Sequence, residues 1–240
     1  MTIPYKNSDK SKKEQVAGMF NNIAHSYDFL NHVLSLGIDT MWRNRAIREM
    51  RKTNPTVILD VATGTCDFAI AAARKLKPQQ IIGIDISQKM LEIGKQKIHK
   101  KQLDSCITLA WGDCEALQFP DNHFDASTTG FGVRNFENLH TGLQEIVRVL
   151  KPGACAYILE FSKPRIFPIA QLYTLYFKYI LPTIGRIFSK DTSAYTYLYD
   201  SVDAFPYGEA FAEEARNAGF SDTKCIPLSF GITTLYICRK

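Results

Sequence analysis

Three acids close three apolar runs, and their spacing implies a shared chemistry. Asp60 ends Thr56-Val57-Ile58-Leu59-Asp60, Asp85 ends Gln80-Ile81-Ile82-Gly83-Ile84-Asp85, and Asp113 follows the run Ile107 to Trp111 and Gly112. Between the first two lies a loop of small residues, Ala62-Thr63-Gly64-Thr65-Cys66, which leads into a helix at Asp67. A small loop lets a ligand approach the backbone, and an acid at the tip of the next strand accepts hydrogen bonds from ribose hydroxyls. Asp85 is placed for that role, and Asp113 for the exocyclic amine of adenine. A phosphate-cradling loop brings N–H groups together with the help of several glycines. Here Gly64 stands alone, so the loop favours S-adenosylmethionine, which carries no phosphate, over NAD. The plainer alternative is an ordinary strand-to-helix turn, with Asp85 capping the next helix together with Ser87.

Other chemistries have less support. His25, His32, His99, His123 and His140 are isolated, and no His, Cys or Asp cluster has ligand spacing, so no metal is expected. There is no Gly-x-Ser-x-Gly elbow and no Walker loop. The six cysteines include no Cys-x-x-Cys pair and read as reduced core residues of an intracellular protein. The net charge of +5 is a mild excess without the aromatic interleaving of a nucleic-acid groove, so no nucleic-acid partner is expected.

The elements that position these residues alternate. Residues 1 to about 13 read as a frayed basic arm with no secretory h-region behind it. From Glu14 to Met50 apolar residues recur at three and four, a helical preface broken near Gly37 and resumed from Asp39. A helix is expected from Asp67 to about Leu76 and another from the Ser87 cap to about Lys101. The third and fourth strands fall at Ile107–Trp111 and Phe124–Phe131. A helix from about Leu139 to Leu150 stops at Lys151-Pro152-Gly153, and a fifth strand spans Ala156–Phe161. Such alternation builds a mostly parallel sheet with helices on both faces. A helix from Tyr207 to Ala218, then strands at Thr223–Leu228 and Ile232–Cys238, end the sheet in an antiparallel pair. One domain over residues 1–240 is expected, with a helical cap (14–52), a ligand-binding core (56–161), an apolar insertion (166–200) and a closing helix and hairpin (207–240).

The insertion carries only Lys178 and Arg186 as charges between Ile166 and Phe188, and its apolar runs are too short to span a bilayer. It is either a cover on the sheet or an apolar wall and membrane-facing surface for a greasy substrate.

More particular strings run from about residue 16 to the end. They include Met19-Phe20-Asn21-Asn22-Ile23-Ala24 with Tyr27-Asp28, Phe131-Gly132-Val133-Arg134-Asn135, Arg148-Val149-Leu150-Lys151-Pro152-Gly153, Leu159-Glu160-Phe161-Ser162-Lys163-Pro164 and Tyr195-Thr196-Tyr197-Leu198. In these the chain resembles the ubiquinone/menaquinone biosynthesis C-methyltransferase family. The resemblance implies a Rossmann-like class I methyltransferase fold with a seven-stranded sheet. It also implies that S-adenosylmethionine methylates a ring carbon of a polyprenylated quinol, demethylmenaquinol in menaquinone-making organisms or a benzoquinol in the ubiquinone pathway. By position Thr65 and Asp85 match the family's methyl-donor contacts, with Gly64 in the same loop, and Asp113 with Cys114 matches its adenine-proximal pair. Cys66 stands where the family commonly has glycine.

On that reading Arg134, permanently charged and directly after the fourth strand, holds the quinol anion, and Asn135 orients a ring oxygen. Tyr27 and Asp28 are candidates for a lid or a proton acceptor. The isoprenoid tail implies a cytoplasmic protein working peripherally at the inner face of the membrane, with 166–188 as the contact. The rivals are another small-molecule methyltransferase, an NAD(P)-dependent oxidoreductase, and a non-catalytic binding protein. The oxidoreductase is opposed by the glycine-poor loop and the lack of a Tyr-x-x-x-Lys pair.

Overall fold

The computed structural model describes residues 2–5, 7–35, 37–176 and 193–240. Two helices open the chain, α1 (Lys12–Leu34) and α2 (Ile38–Met50), joined through Gly37 in a left-handed conformation. Then strand and helix alternate: β1 (Val57–Val61), α3 (Asp67–Leu76), β2 (Gln80–Asp85), α4 (Gln88–Lys100), β3 (Ile107–Trp111), β4 (Phe124–Gly130), α5 (Leu139–Val149) and β5 (Leu150–Phe161). After β5 come α6 (Ile169–Leu175), α7 (Ser193–Ala204), α8 (Glu209–Asn217), β6 (Asp222–Leu228) and β7 (Thr233–Arg239).

All seven strands form one sheet in the order β3-β2-β1-β4-β5-β7-β6. The first five are parallel, while β7 runs antiparallel to both β5 and β6. This is the mostly parallel α/β sheet with an antiparallel end that the alternation predicts. Period two divides the core between its faces: Leu59 and Val61 of β1 pack with Leu143, Ile146 and Phe211, whereas Ile58 packs with Trp42, Ile47 and Phe68. Each such fully buried side chain contributes about 1.5–3 kcal/mol.

Three expectations need correction. The basic arm is not frayed. Ser11 and Glu14 form a capping box, the Ser11 amide donating to Glu14 Oε2 (2.9 Å) and the Glu14 amide to Ser11 Oγ (3.3 Å), so α1 starts at Lys12. Upstream, the Tyr5 amide donates to Gln15 Oε1 at 2.9 Å and ties the arm to the helix. Secondly, Lys151-Pro152-Gly153 does not separate helix from strand. β5 already begins at Leu150, opposite Phe124, and passes through the tripeptide with an irregular register, helped by Gly153 at φ 79°, whose N–H donates to the Lys240 carbonyl (3.1 Å). Thirdly, Asp60 does not reach the strand edge. It is 1% exposed and accepts from Thr63 Oγ1 (2.5 Å) and Thr128 Oγ1 (2.6 Å), so it braces the first loop against β4.

Cys66 fits by a local exchange. It takes a left-handed φ of 70°, a conformation that glycine tolerates better, and is fully buried. Its Sγ lies where a Cβ on Gly94 of α4 would stand, 2.4 Å away, so the missing side chain at Gly94 makes the room. Burial pushes its thiol up to about 12, and Cys66 is a packing group.

Candidate functional site

Parallel α/β sheets bind ligands where the strand order reverses, outside the carboxyl ends of the strands. Here the chain builds outward from β1 to β3 and returns to place β4 beside β1. A cleft of about 660 Å³, part of it open to solvent, lies at that point. Its lining comes from the ends of β1 (Ala62, Gly64), β2 (Ile84, Asp85, Ile86), β3 (Gly112, Asp113, Cys114) and β4 (Gly130, Phe131, Gly132), with Lys13, Val16, Phe20 and Tyr27 of α1 opposite.

Four of the five expected donor-binding residues, Gly64, Asp85, Asp113 and Cys114, line this cleft. Asp85 holds the first loop and the next helix together: Oδ2 accepts from the Gly64 amide and Oδ1 from the Ser87 amide, both at 2.8 Å. Burial raises its pKa, against which those backbone N–H groups act. Each oxygen retains a lone pair, so the carboxylate can still accept from a ligand. Gly64 has φ 55°, and a Cβ there would meet nothing within 4 Å, so the loop leaves space at this point. Burial and two neighbouring carboxylates push the Cys114 thiol well up, so it presents a neutral, polarisable surface.

Thr65 is brought near but turned away. Its hydroxyl donates to Asp28, and Lys97 Nζ donates to Thr65 Oγ1 (3.2 Å), Asp28 Oδ2 (2.7 Å) and Asp67 Oδ1 (2.5 Å). This knot ties α1 to the start of α3 and to α4, and it occupies Asp28. Tyr27, its neighbour, lines the cleft.

Asn135 lines the cleft, and its Oδ1 is buried without a hydrogen-bond partner. Arg134 is turned inward instead. Its NH1 donates to Glu160 Oε1 (2.8 Å) and to the Phe131 carbonyl (2.5 Å), its guanidinium lies 5.5 Å from the Phe161 ring centroid, and Glu160 is fully buried. Burial raises the Glu160 pKa, opposed chiefly by the Arg134 charge.

Sequence reasoning missed two residues here. Lys13 from the supposed arm pairs with Asp113 (2.5 Å) at the cleft, and Lys12 Nζ donates to the carbonyls of Arg134 (3.2 Å) and Phe136 (2.5 Å). The Ser11-x-x-Glu14 capping box was the available signal. Glu160 was legible only as an acid inside an apolar strand, which demands a buried partner. Asp113, Cys114 and Glu115 are close enough to share a cation, but Lys13 already lies 2.5 Å from Asp113 and 3.6 Å from Glu115.

Comparisons with known proteins identify the family and the fold. The ubiE/COQ5 methyltransferase family matches residues 8–240. A demethylmenaquinone methyltransferase from Bacteroides fragilis is 50% identical over 237 residues, 99% of this chain and 96% of the relative. A ubiquinone/menaquinone biosynthesis C-methyltransferase from Geobacter sulfurreducens is 44% identical over 230 residues, covering 95% and 90%. Among solved structures, a SAM-dependent methyltransferase from Thermotoga maritima, described as a possible histamine N-methyltransferase, shares the fold at TM-score 0.63 and 16% identity, covering 93% of this chain and 99% of that one. Another from Aquifex aeolicus aligns at TM-score 0.55 and 17% identity, covering 77% and 81%.

Proposed function

The chain belongs to the ubiE/COQ5 methyltransferase family, and from that premise we propose that it methylates demethylmenaquinol to menaquinol with S-adenosylmethionine as donor. It is an S-adenosylmethionine-dependent C-methyltransferase of menaquinone biosynthesis. The observation that carries this reading is the switch-point cleft, with Asp85 and Gly64 at one end and Asp113 and Cys114 at the other, in a chain half identical to a demethylmenaquinone methyltransferase.

The cleft suits the donor by its chemistry. Asp85 keeps acceptor capacity for two ribose hydroxyls, Ile86, Met90 and Cys114 offer apolar faces to a flat base, and Asp113 with Lys13 borders the same wall. When bound, S-adenosylmethionine supplies an electrophilic methyl group on a positive sulfur. The protein's own part is to orient and to stabilise charge. The Asp60–Thr63–Thr128 brace fixes the loop at Gly64. The lid helix α1 covers the cleft with Val16, Phe20 and Tyr27 and excludes water. On the acceptor side Asn135 Oδ1 accepts from a ring hydroxyl, and the positive charge of its chain neighbour Arg134, held off the cleft wall by Glu160, stabilises negative charge on a quinol oxygen. Holding the reactants in line contributes roughly 7–11 kcal/mol at best.

Transfer of a labelled methyl group from S-adenosylmethionine tests the assignment directly. Demethylmenaquinol should be methylated at least tenfold faster than a benzoquinol of equal tail length. Transfer to neither would remove the reading, and preference for the benzoquinol would move the enzyme to the ubiquinone pathway.

Among the described residues no helix is long and apolar enough to cross a membrane. The acceptor's tail nevertheless requires access to lipid. Part of the 166–188 segment, from residue 177 on, lies outside the described residues, but its beginning is informative: Ile166, Phe167, Leu172 and Leu175 are more than half exposed, next to Lys163 and Arg165. This apolar face beside basic residues forms the membrane contact. Phe167→Ser with Leu172→Ser should reduce cosedimentation with anionic phospholipid vesicles at least threefold while leaving turnover of a tail-less quinol unchanged. Undiminished cosedimentation would exclude this face.

A further inference from the structure

Tyr197 on α7 is only 3% exposed, with its ring among Val16 and Met19 of α1 and beside Phe161 and Tyr173. Its hydroxyl has no hydrogen-bond partner. A buried phenol normally finds one, because leaving it unpaired forfeits the bonds it makes to water. Two more orphans lie nearby. Arg134 Nε and Asn135 Oδ1 are also buried without partners, although Arg134 NH1 is bonded twice and Asn135 Nδ2 reaches the Phe131 carbonyl at 3.4 Å. The three belong to one neighbourhood. α7 packs on the turn Val133–Asn135, Phe161 packs against the cluster that holds Tyr197 and lies under the Arg134 guanidinium, and the charges of Arg134 and Glu160 both act on the Tyr197 phenol. Burial pushes that phenol up to about 12, so it stays protonated and is available as a donor.

Two donors and one acceptor, all buried and all unpaired, describe the complement of a molecule that carries oxygen atoms of both kinds on a rigid frame. A hydroquinone is such a molecule: one ring oxygen accepts, the other hydroxyl donates. Of the three, Asn135 is on the cleft wall, in the space in which a methyl acceptor would meet the donor.

We propose that the Tyr197 hydroxyl, with Arg134 Nε, binds the ring oxygen next to the carbon that is methylated, while Asn135 Oδ1 accepts from the remaining hydroxyl. This rests on the quinol methyltransferase reading above and adds to it a residue from the segment that follows the sheet core. Tyr197 thereby couples α7 to acceptor binding. A tyrosine that only packs would serve equally well as phenylalanine.

The test is Tyr197→Phe in the full chain, read in three ways. The melting temperature should stay level or rise, because an unpaired buried hydroxyl is removed. The Kd for S-adenosylmethionine should stay within twofold. kcat/KM for demethylmenaquinol should fall roughly 10- to 100-fold, the range for a hydrogen bond to a charged or charge-developing oxygen. Unchanged kcat/KM in the folded variant overturns the proposal. So does a loss of activity that comes with a lower melting temperature and weaker donor binding, since that marks a structural tyrosine. The underlying assignment fails differently, by the wild-type enzyme transferring no methyl group to any quinol. Asn135→Leu provides an independent arm, expected to show the same split, with stability kept and acceptor kcat/KM lowered.

Discussion

Asp85→Ala is expected to weaken S-adenosylmethionine binding by about 100-fold or more, measured by calorimetry. Two hydrogen bonds from ribose hydroxyls to an ionised acceptor contribute about 1.5–3 kcal/mol each, and even the lower figure for both gives that loss. The loop suffers too, since the Gly64 and Ser87 amides lose their shared acceptor. Asp85→Asn keeps one acceptor oxygen and should fall between, at roughly tenfold. Acid removes the same charge without mutation. Asp60, next to Asp85, has its pKa raised to about 6 by burial, and the Asp85 pKa is raised for the same reason. As pH falls through about 6 the interior Asp60 loses its charge, and Asp85, which lines the cleft with its own pKa raised, loses negative charge that would face a cationic ligand, so donor affinity should fall toward acid pH. S-adenosylhomocysteine, whose sulfur is neutral, should lose less. The stability of the free protein moves the other way. A buried acid with a raised pKa binds its proton more tightly folded than unfolded, so the penalty for ionising Asp60 is present above its folded pKa and vanishes as pH falls through it. An unchanged Kd for Asp85→Ala would place the nucleoside elsewhere.

The contrast between Asp85 and Asp60 shows what the sequence could reveal. Both close apolar runs and both were expected at the ligand. Strand periodicity finds such acids, but a shift of one residue relative to the strand end decides whether the carboxylate meets the cleft or the interior, and that shift is set by the loop. Asp85 is the last residue of β2, whereas Asp60 is followed by Val61 and points at Thr63 and Thr128. Local signals were read well where they act locally, as at the Ser87 cap, whose side chain accepts from the Met90 amide. They misled where tertiary pairing wins. Lys151-Pro152-Gly153 is a strong stop in isolation, yet pairing of Leu150 with Phe124 and of Gly153 with Lys240 keeps it in the sheet. The lysines before α1 looked like a solvated tail because their partners, Asp113 and the carbonyls of Arg134 and Phe136, are about a hundred residues or more away. Nothing local announces such pairs.

The same non-locality governs the prediction for Arg134. Arg134→Ala should lower turnover by roughly two to three powers of ten, as for loss of one donor to a developing oxyanion. Yet Arg134 is also the partner of a carboxylate with no exposure, and removing it leaves Glu160 buried and unpaired, a loss of about 3–5 kcal/mol. The single variant therefore confounds chemistry with folding. Arg134→Met combined with Glu160→Leu separates them: it removes both charges at similar volume, so the melting temperature should return to near the wild-type value while labelled-methyl transfer stays at the Arg134→Ala level. Glu160→Gln then decides what the pair does. Its amide oxygen can still accept from Arg134 NH1, and the guanidinium charge is left less neutralised. If Glu160 only holds Arg134 in place, turnover should stay within about tenfold of wild type, by the usual cost of exchanging a charged for a neutral hydrogen-bond acceptor. If Glu160 instead takes the quinol proton through Arg134, Glu160→Gln should be as inactive as Arg134→Ala. We expect the first result, because the Glu160 carboxylate is fully buried and enclosed by Arg134 and the Phe161 amide, at 2.8 Å each. Recovery of turnover in the doubly neutral variant would remove Arg134 from the mechanism.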